Sequence, residues 1–533
     1  MNFNLLHNKY ALWLLLILSL CSGNVRASHM MGTDMSYQCL GSGKYKIVAK
    51  VYRDCRGVAF NSPSFGVFAG KNRGNGCGTA TLSISRVSIT DVSQLCSSAS
   101  PACDSNKAAT GNGVELHVYE AIVDFNSAPL NAFVGNSSCC DVTFYLGQCC
   151  RNAAITTGSA NDDFFATTTI NICNALDDCN SSPIFSNQPI FYACCNQPYR
   201  FNHGLLDDTP GDSISFRLVS GLRALPGSPI TYAAPFSYRF PVTPYCSTAS
   251  ITCTAKPAVT PPIGFYFDAV SGDMVFTPTK CDEVAIVVVE AIEYKKVGGL
   301  MVEMGSVRRD MQLIVEDCAN NMVPEIQGSD SLCISEGDSI CFDIVISDTL
   351  RSGQTVGDSV ELTWNSGIAG ATFTPISKDK NPTSTFCWRV PMGASRQIPY
   401  TFSVKAMDNN CSRRALSYKG FVIKVGECST LGNNKTPAEF AGNLFPNPVR
   451  VGEVVTVESR LRVGMWELST ANGVIVCSGK LLDQQFIVPP SIPAGMYIMR
   501  LVSVNETEDK EINSAFTNRS GYFEAIYRLI ISE

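Results

Sequence analysis

The stretch Tyr45-Lys46-Ile47-Val48-Ala49-Lys50-Val51-Tyr52 sets Tyr45, Ile47, Ala49 and Val51 on one side of an extended chain. Lys46 and Lys50 fall on the other. A period of two marks a strand with one buried face. Residues 114–125, 144–146 and 164–173 give further β-branched or aromatic runs, and 311–315 another. Phe342-Asp343-Ile344-Val345-Ile346 alternates again, and residues 402–408 follow the same logic. Turn residues separate these runs about every 8–12 positions. Helical periodicity is scarce. The pattern predicts an all-β chain of tandem sandwiches.

Residues 28–181 are expected to form a cysteine-rich β domain, 182–321 a second sandwich and 322–427 a third. Residues 428–442 read as a polar linker. The stretch 443–533 reads as a small β domain of its own. In it Asn472-Gly473, between two apolar runs, is the strongest hairpin signal in the chain.

The chain ends and the cysteines bound the compartment. Lys9 precedes the apolar run 11–20, and Val25-Arg26-Ala27 offers a small-residue cleavage site. Residues 1–27 therefore read as a secretory signal peptide, too short for a confident membrane span. No other stretch is long and apolar enough to cross a bilayer. Of 24 cysteines, Cys21 leaves with the signal and Cys477 stands apart, so an even set remains. An exported chain with so many cysteines reads as a disulfide framework. The doublets Cys139-Cys140, Cys149-Cys150 and Cys194-Cys195 do not match zinc spacing. Each is expected to send bridges in two directions rather than close on itself. Charged residues are only 17% and the formal net charge is −6. That balance favours neither nucleic acid nor an anionic membrane surface.

Candidate chemistry is sparse. Asp207, Asp208 and Asp212 are the residues expected to hold calcium, a hard cation that collects loop oxygens. A solvated turn explains the same residues and is preferred, because the spacing matches no EF-hand loop. Asp348, Asp358 and Asp408 form a weaker acidic set. His203 with Asp207 resembles half of a nucleophilic site. The sequence has no G-x-S-x-G elbow, H-E-x-x-H or P-loop beside it. Glu290 and Glu293 point to opposite faces of one strand, and a structural salt bridge to Arg308 or Arg309 is the expected role. No enzyme activity and no other cofactor are expected.

Resemblances add an address. Phe445-Pro446-Asn447-Pro448, the Asn-Gly strand pair, then Gly495-Met496-Tyr497-Ile498 and a closing apolar strand are similar to the type A C-terminal sorting domain of type IX secretion. The resemblance covers 443–533. It implies export across a Gram-negative outer membrane, with the type IX translocon as partner and Phe445, Pro446, Asn447, Pro448, Gly495 and Tyr497 as the motif. Two departures stand out: a polar insert near 503–521, and a chain that ends Ser532-Glu533 where the family is often basic. Ser28-His29-Met30-Met31-Gly32 with Val51-Tyr52-Arg53-Asp54-Cys55, and later Cys149-Cys150-Arg151-Asn152, resemble the N-terminal domain of large surface proteins of such bacteria. The 182–321 and 322–427 segments resemble cadherin-like and immunoglobulin-like repeats. The expected role is structural or adhesive, at the cell surface or secreted, toward an unknown surface protein or glycan. An exported hydrolase or glycan-binding protein is the alternative.

Overall fold

Strand Leu300–Glu316 is the spine of the N-terminal part of the chain. In the computed structural model it pairs antiparallel with Val284–Val297 along one edge. Three strands dock in succession along the other edge. Phe164–Asn171 pairs at residues 305–307, Met30–Gly41 at 309–311, and Tyr192–Cys194, running parallel, at 314–316. The sheet grows outward from these contacts to 12 strands. Beyond Met30–Gly41 come Lys44–Asp54, Val114–Asp124 and Ser85–Asp91. Beyond Phe164–Asn171 come Asp141–Gln148, Ser64–Gly70 and Gly78–Ser83. Ser213–Leu218 covers the far side of Val284–Val297.

The structure describes residues 30–426 and 443–532. Excepted are 58–63, 105–106, 161, 190–191, 208–212, 249, 298–299, 319–320, 330, 350–356, 376–377, 397–398, 412, 459–462, 471–474, 482–483, 490–491, 493–494 and 504–523. The signal-peptide expectation, the linker, the Asn472-Gly473 turn and the polar insert lie outside the described residues. The chain divides into two compact units, residues 1–427 and 428–533.

Burial follows the sequence pattern where one face is covered. Tyr45, Ile47, Ala49 and Val51 are all 0% exposed. They meet Phe65, Val67, Phe125, Phe144 and Leu146 in the largest core cluster. Val284–Val297 behaves differently: its first ten residues are all buried. Both faces are covered, so its first six residues, 284–289, read as continuously apolar rather than alternating. Adjacent spine residues carry charge into this interior. Arg309 grips Asp34 at 2.6 and 2.7 Å, and Asp310 takes Arg151 at 3.0 and 2.6 Å. Both guanidiniums also lie over rings, Arg309 on Phe185 and Arg151 on Phe164.

The expected boundary at 181/182 is corrected by this topology. The 30–124 strands and the 284–316 hairpin share one sheet, so a cut at 181 removes its spine. The pairing Gly32↔Met311 is long-range, and local patterning carries no signal for it.

The 322–427 segment forms a two-sheet sandwich. One sheet is Glu325–Gln327, Ser339–Ser347, Thr383–Arg389 and Thr372–Thr374. The other is Ser331–Ile334, Leu416–Val425, Tyr400–Asp408, Val360–Trp364 and Lys378–Asp379. Phe402 stacks on Phe386 at 4.3 Å and on Phe421 at 4.9 Å between the sheets. Cys341–Cys387 bridges facing residues of two neighbouring strands within one sheet. Among the described residues no disulfide joins the two sheets in the antibody manner. The C-terminal unit is a second sandwich. It sets three strands (Asn443–Phe445, Val454–Glu458, Gln485–Ile487) against five (Val449–Arg450, Glu524–Ser532, Gly495–Ser503, Val463–Thr470, Ile475–Lys480). Trp466, Phe486, Tyr497, Met499 and Leu529 lie in its core.

Ten disulfides join described residues. Two doublets split as expected. Cys139 reaches Cys77 while Cys140 reaches Cys173, and Cys194 reaches Cys318 while Cys195 reaches Cys281. The third doublet corrects the expectation, since Cys149 and Cys150 bond to each other. Cys477 is free.

Candidate functional site

The residues singled out from sequence meet different fates. Asp207 follows strand Leu205–Leu206 and is half-buried. Asp208 and Asp212 lie outside the described residues. His203 is fully buried between Phe201, at 4.8 Å, and Phe185, at 5.7 Å. Burial, with the nearby Arg309 charge, holds its pKa well below the ordinary imidazole value. Neither ring nitrogen has a hydrogen-bond partner among the described residues. A neutral ring sealed among aromatics, with no acceptor to orient it, is not a general base. Glu290 takes Arg308, as expected of a structural pair, but Arg309 turns away to Asp34. Glu293 instead accepts from Asn180 Nδ2 at 2.7 Å.

The weaker acidic set is the one the fold assembles. Asp348 follows Ser339–Ser347, Asp358 precedes Val360–Trp364, and Asp408 ends Tyr400–Asp408. Val360 pairs with Asp408 within one sheet, which brings Asp358 beside Asp408, and Asp348 comes from the end of a strand in the facing sheet. One carboxylate oxygen from each lies within 4.8 Å of the others. Asp408 is 2% exposed. Its Oδ1 accepts from the backbone N–H of Asn410 and Ala415, and its Oδ2 from Asn321 Nδ2 at 2.7 Å. Asp358 accepts from Asn410 Nδ2 at 2.9 Å. Burial pushes the Asp408 carboxyl up to about 7. Burial and the Asp358 charge raise Asp348 to about 6. Asp348 Oδ2 is buried with no partner among the described residues. An orphaned carboxylate oxygen beside two more carboxylates fits a hard, oxygen-ligated cation such as calcium. In the sequence Asp348, Asp358 and Asp408 lie far apart, and only strand pairing together with the packing of the two sheets brings them together.

A cleft of about 290 Å³ adjoins this set. Asn321 and Asn410, which hold Asp408 and Asp358, line it together with Tyr192, Glu316, Arg413 and Arg414. Arg413 lies 3.4 Å over the Tyr192 ring and pairs with Glu316 at 2.8 Å. Cys96–Cys411, the Leu95↔Arg413 bridge and Arg414 N–H donating to the Gln94 carbonyl fasten the cleft walls to each other. Segments that are far apart in sequence are thus clamped around it.

In the C-terminal unit the motif residues divide by environment. Phe445 is 69% exposed, Asn447, Pro448 and Gly495 are exposed, and Tyr497 is core. Ile531 pairs with Val449 on one side and Gly495 on the other. The last strand therefore joins the two halves of the motif.

No protein-family model matches the chain, and no curated protein does. Solved structures resemble it at low similarity. A Dpr2 Ig1-Ig2 complex with DIP-Theta Ig1-Ig3 has TM-score 0.16 and 12% identity, covering 46% of this chain and 99% of that one. The four N-terminal Ig domains of Dscam1 isoform 4.44 have TM-score 0.14 and 10% identity, covering 93% and 100%. An endo-fucoidan hydrolase of glycoside hydrolase family 107 has TM-score 0.14 and 14% identity, covering 46% and 34%. The chain is all-β and disulfide-rich. No helix among the described residues is long and apolar enough to cross a membrane.

Proposed function

We propose that this is an exported structural or adhesive protein displayed at, or released from, the surface of a Gram-negative bacterium. One observation carries the reading: the body of residues 30–426 is held by disulfides that tie distant segments. Cys39–Cys179, Cys194–Cys318 and Cys96–Cys411 close separations of 140, 124 and 315 residues. Such bridges persist in oxidising compartments, and they suit a body that must keep its shape under load. The C-terminal sandwich, with Phe445, Asn447 and Pro448 at its surface, acts in this proposal as the sorting signal read by the type IX translocon. The partner is a surface protein or glycan, met by loops and sheet edges rather than by a catalytic centre. Calcium is proposed as a stabilising ion at carboxylate clusters, Asp207, Asp208 and Asp212 among them.

The test is localisation of the full chain and of a chain lacking 443–533, each followed by surface labelling. Loss of the truncated protein from the cell exterior, with accumulation in the periplasm, is the expected result. Export of both overturns the sorting role.

A further inference from the structure

A pocket of about 220 Å³ opens on the large sheet, away from the acidic cleft residues. Glu290 and Arg308 line it, and they belong to one rung of three strands. Arg217 of Ser213–Leu218, Glu290 of Val284–Val297 and Arg308 of Leu300–Glu316 are direct cross-strand partners. Arg73 reaches the same carboxylate from the 3₁₀ turn Lys71–Arg73. Its backbone is left-handed, with φ 59°, a conformation a long side chain adopts at a cost. Its N–H donates to Asp141 at 3.0 Å, which holds the turn in place.

The charges in this pocket do not cancel. Two guanidiniums, Arg73 and Arg308, line it with one carboxylate, Glu290. Glu290, 2% exposed, is saturated: Arg73 donates to Oε1 at 2.5 Å, and Arg217 to Oε2 at 2.8 and 2.5 Å. Arg73 spends its other arm on Glu303 at 2.6 Å. Arg308 is left with the long contact, 3.4 Å to Oε1. Its Nε is buried with no acceptor among the described residues. Burial and the Arg73 charge depress its pKa. A partly buried, half-satisfied guanidinium is costly, and an oxyanion entering on its open side relieves that cost with charge-assisted hydrogen bonds. The walls supply Thr143, Thr167, Thr169 and Ser220, with Phe68 and Leu222 as apolar surfaces. Hydroxyls beside an anion anchor, in a space this small, suit a polyhydroxylated acid.

We propose that this pocket binds a single carboxylate-bearing sugar unit, with Arg308 on the carboxylate and the Thr167 and Ser220 hydroxyls on the ring, the Thr143 and Thr169 hydroxyls being paired with each other. This names a ligand class for the glycan arm of the adhesive reading and rests on it only there. The export experiment tests that reading separately.

Calorimetric titration of the full chain with glucuronate, glucose and inorganic sulfate is the experiment. Saturable glucuronate binding, at least about tenfold stronger than glucose (about 1.4 kcal/mol), is expected. Arg308→Lys should weaken glucuronate about tenfold. Thr167→Val, which removes a hydroxyl and keeps the charge, should weaken glucuronate several-fold and leave sulfate unchanged. Circular dichroism of each variant confirms its fold. Equal binding of glucose and glucuronate, or no saturation with glucuronate, overturns the proposal. So does sulfate binding as tight as glucuronate with Thr167→Val silent.

Discussion

Asp408 keeps its proton to about pH 7, against an ordinary value of 3.8. The native fold therefore holds the protonated form more tightly than the unfolded chain does. The stabilisation it contributes is full below about pH 3.8 and is lost as pH rises through about 7. Metal-free protein should accordingly be less stable at pH 8 than at pH 5 in this region. Asp408→Asn removes the charge. Asn321 can follow it, because its Oδ1 has no partner among the described residues and a flipped amide would pair with the new side chain. The substitution is expected to raise metal-free stability at pH 8 by about 1–2 kcal/mol and to have little effect at pH 4. Urea unfolding at the two pH values checks this. Calcium should stabilise the parent protein at pH 8 and not the variant; an equal response in both means that the ion sits elsewhere.

At the scale of elements, the crossing of Leu300–Glu316 with Phe164–Asn171 depends on one missing side chain. A Cβ on Gly305 would lie 2.6 Å from the Thr169 carbonyl and would overlap the Tyr37 hydroxyl. Gly305→Ala should cost about 1–3 kcal/mol through overpacking, read as a fall in the thermal midpoint. Much of this level was legible in the sequence. The strand at 45–52, the alternating strand at 342–346 and the penultimate strand at 402–408 follow from period-two patterning, because burial on one face leaves that trace. What patterning cannot carry is which strand meets which. The spine position of Leu300–Glu316 comes from pairings with residues near 32 and 170. The acidic set Asp348, Asp358 and Asp408 looked like three unrelated loops for the same reason. The Arg217–Glu290–Arg308 rung was half visible, since a salt bridge of Glu290 to Arg308 or Arg309 is the sequence expectation. Arg73 was missed, being an isolated basic residue in a polar turn.

For the whole molecule, the topology implies that residues 28–181 are not an independent domain. Expressed alone, that segment lacks the strand against which Met30–Gly41 and Phe164–Asn171 close. It is expected to be aggregated or protease-sensitive, whereas 28–427 resists proteolysis under the same oxidising conditions. A soluble, cooperatively unfolding 28–181 fragment would refute that view. The disulfide Cys96–Cys411 extends the same unity to the 322–427 sandwich. Residues 30–426 are therefore a single cross-linked piece rather than beads on a flexible string.

The late position of the central strand also sets a timetable. At about 5–20 residues per second, the partners of Met311 near the N-terminus wait on the order of 15–60 s before the strand they need has been made. During that interval the edges that pair with the central strand stay open, and contacts so distant in sequence form slowly once they become available. On the export route proposed above, this order of parts leaves the central sheet open until the chain has crossed the inner membrane, and the disulfides lock it afterwards.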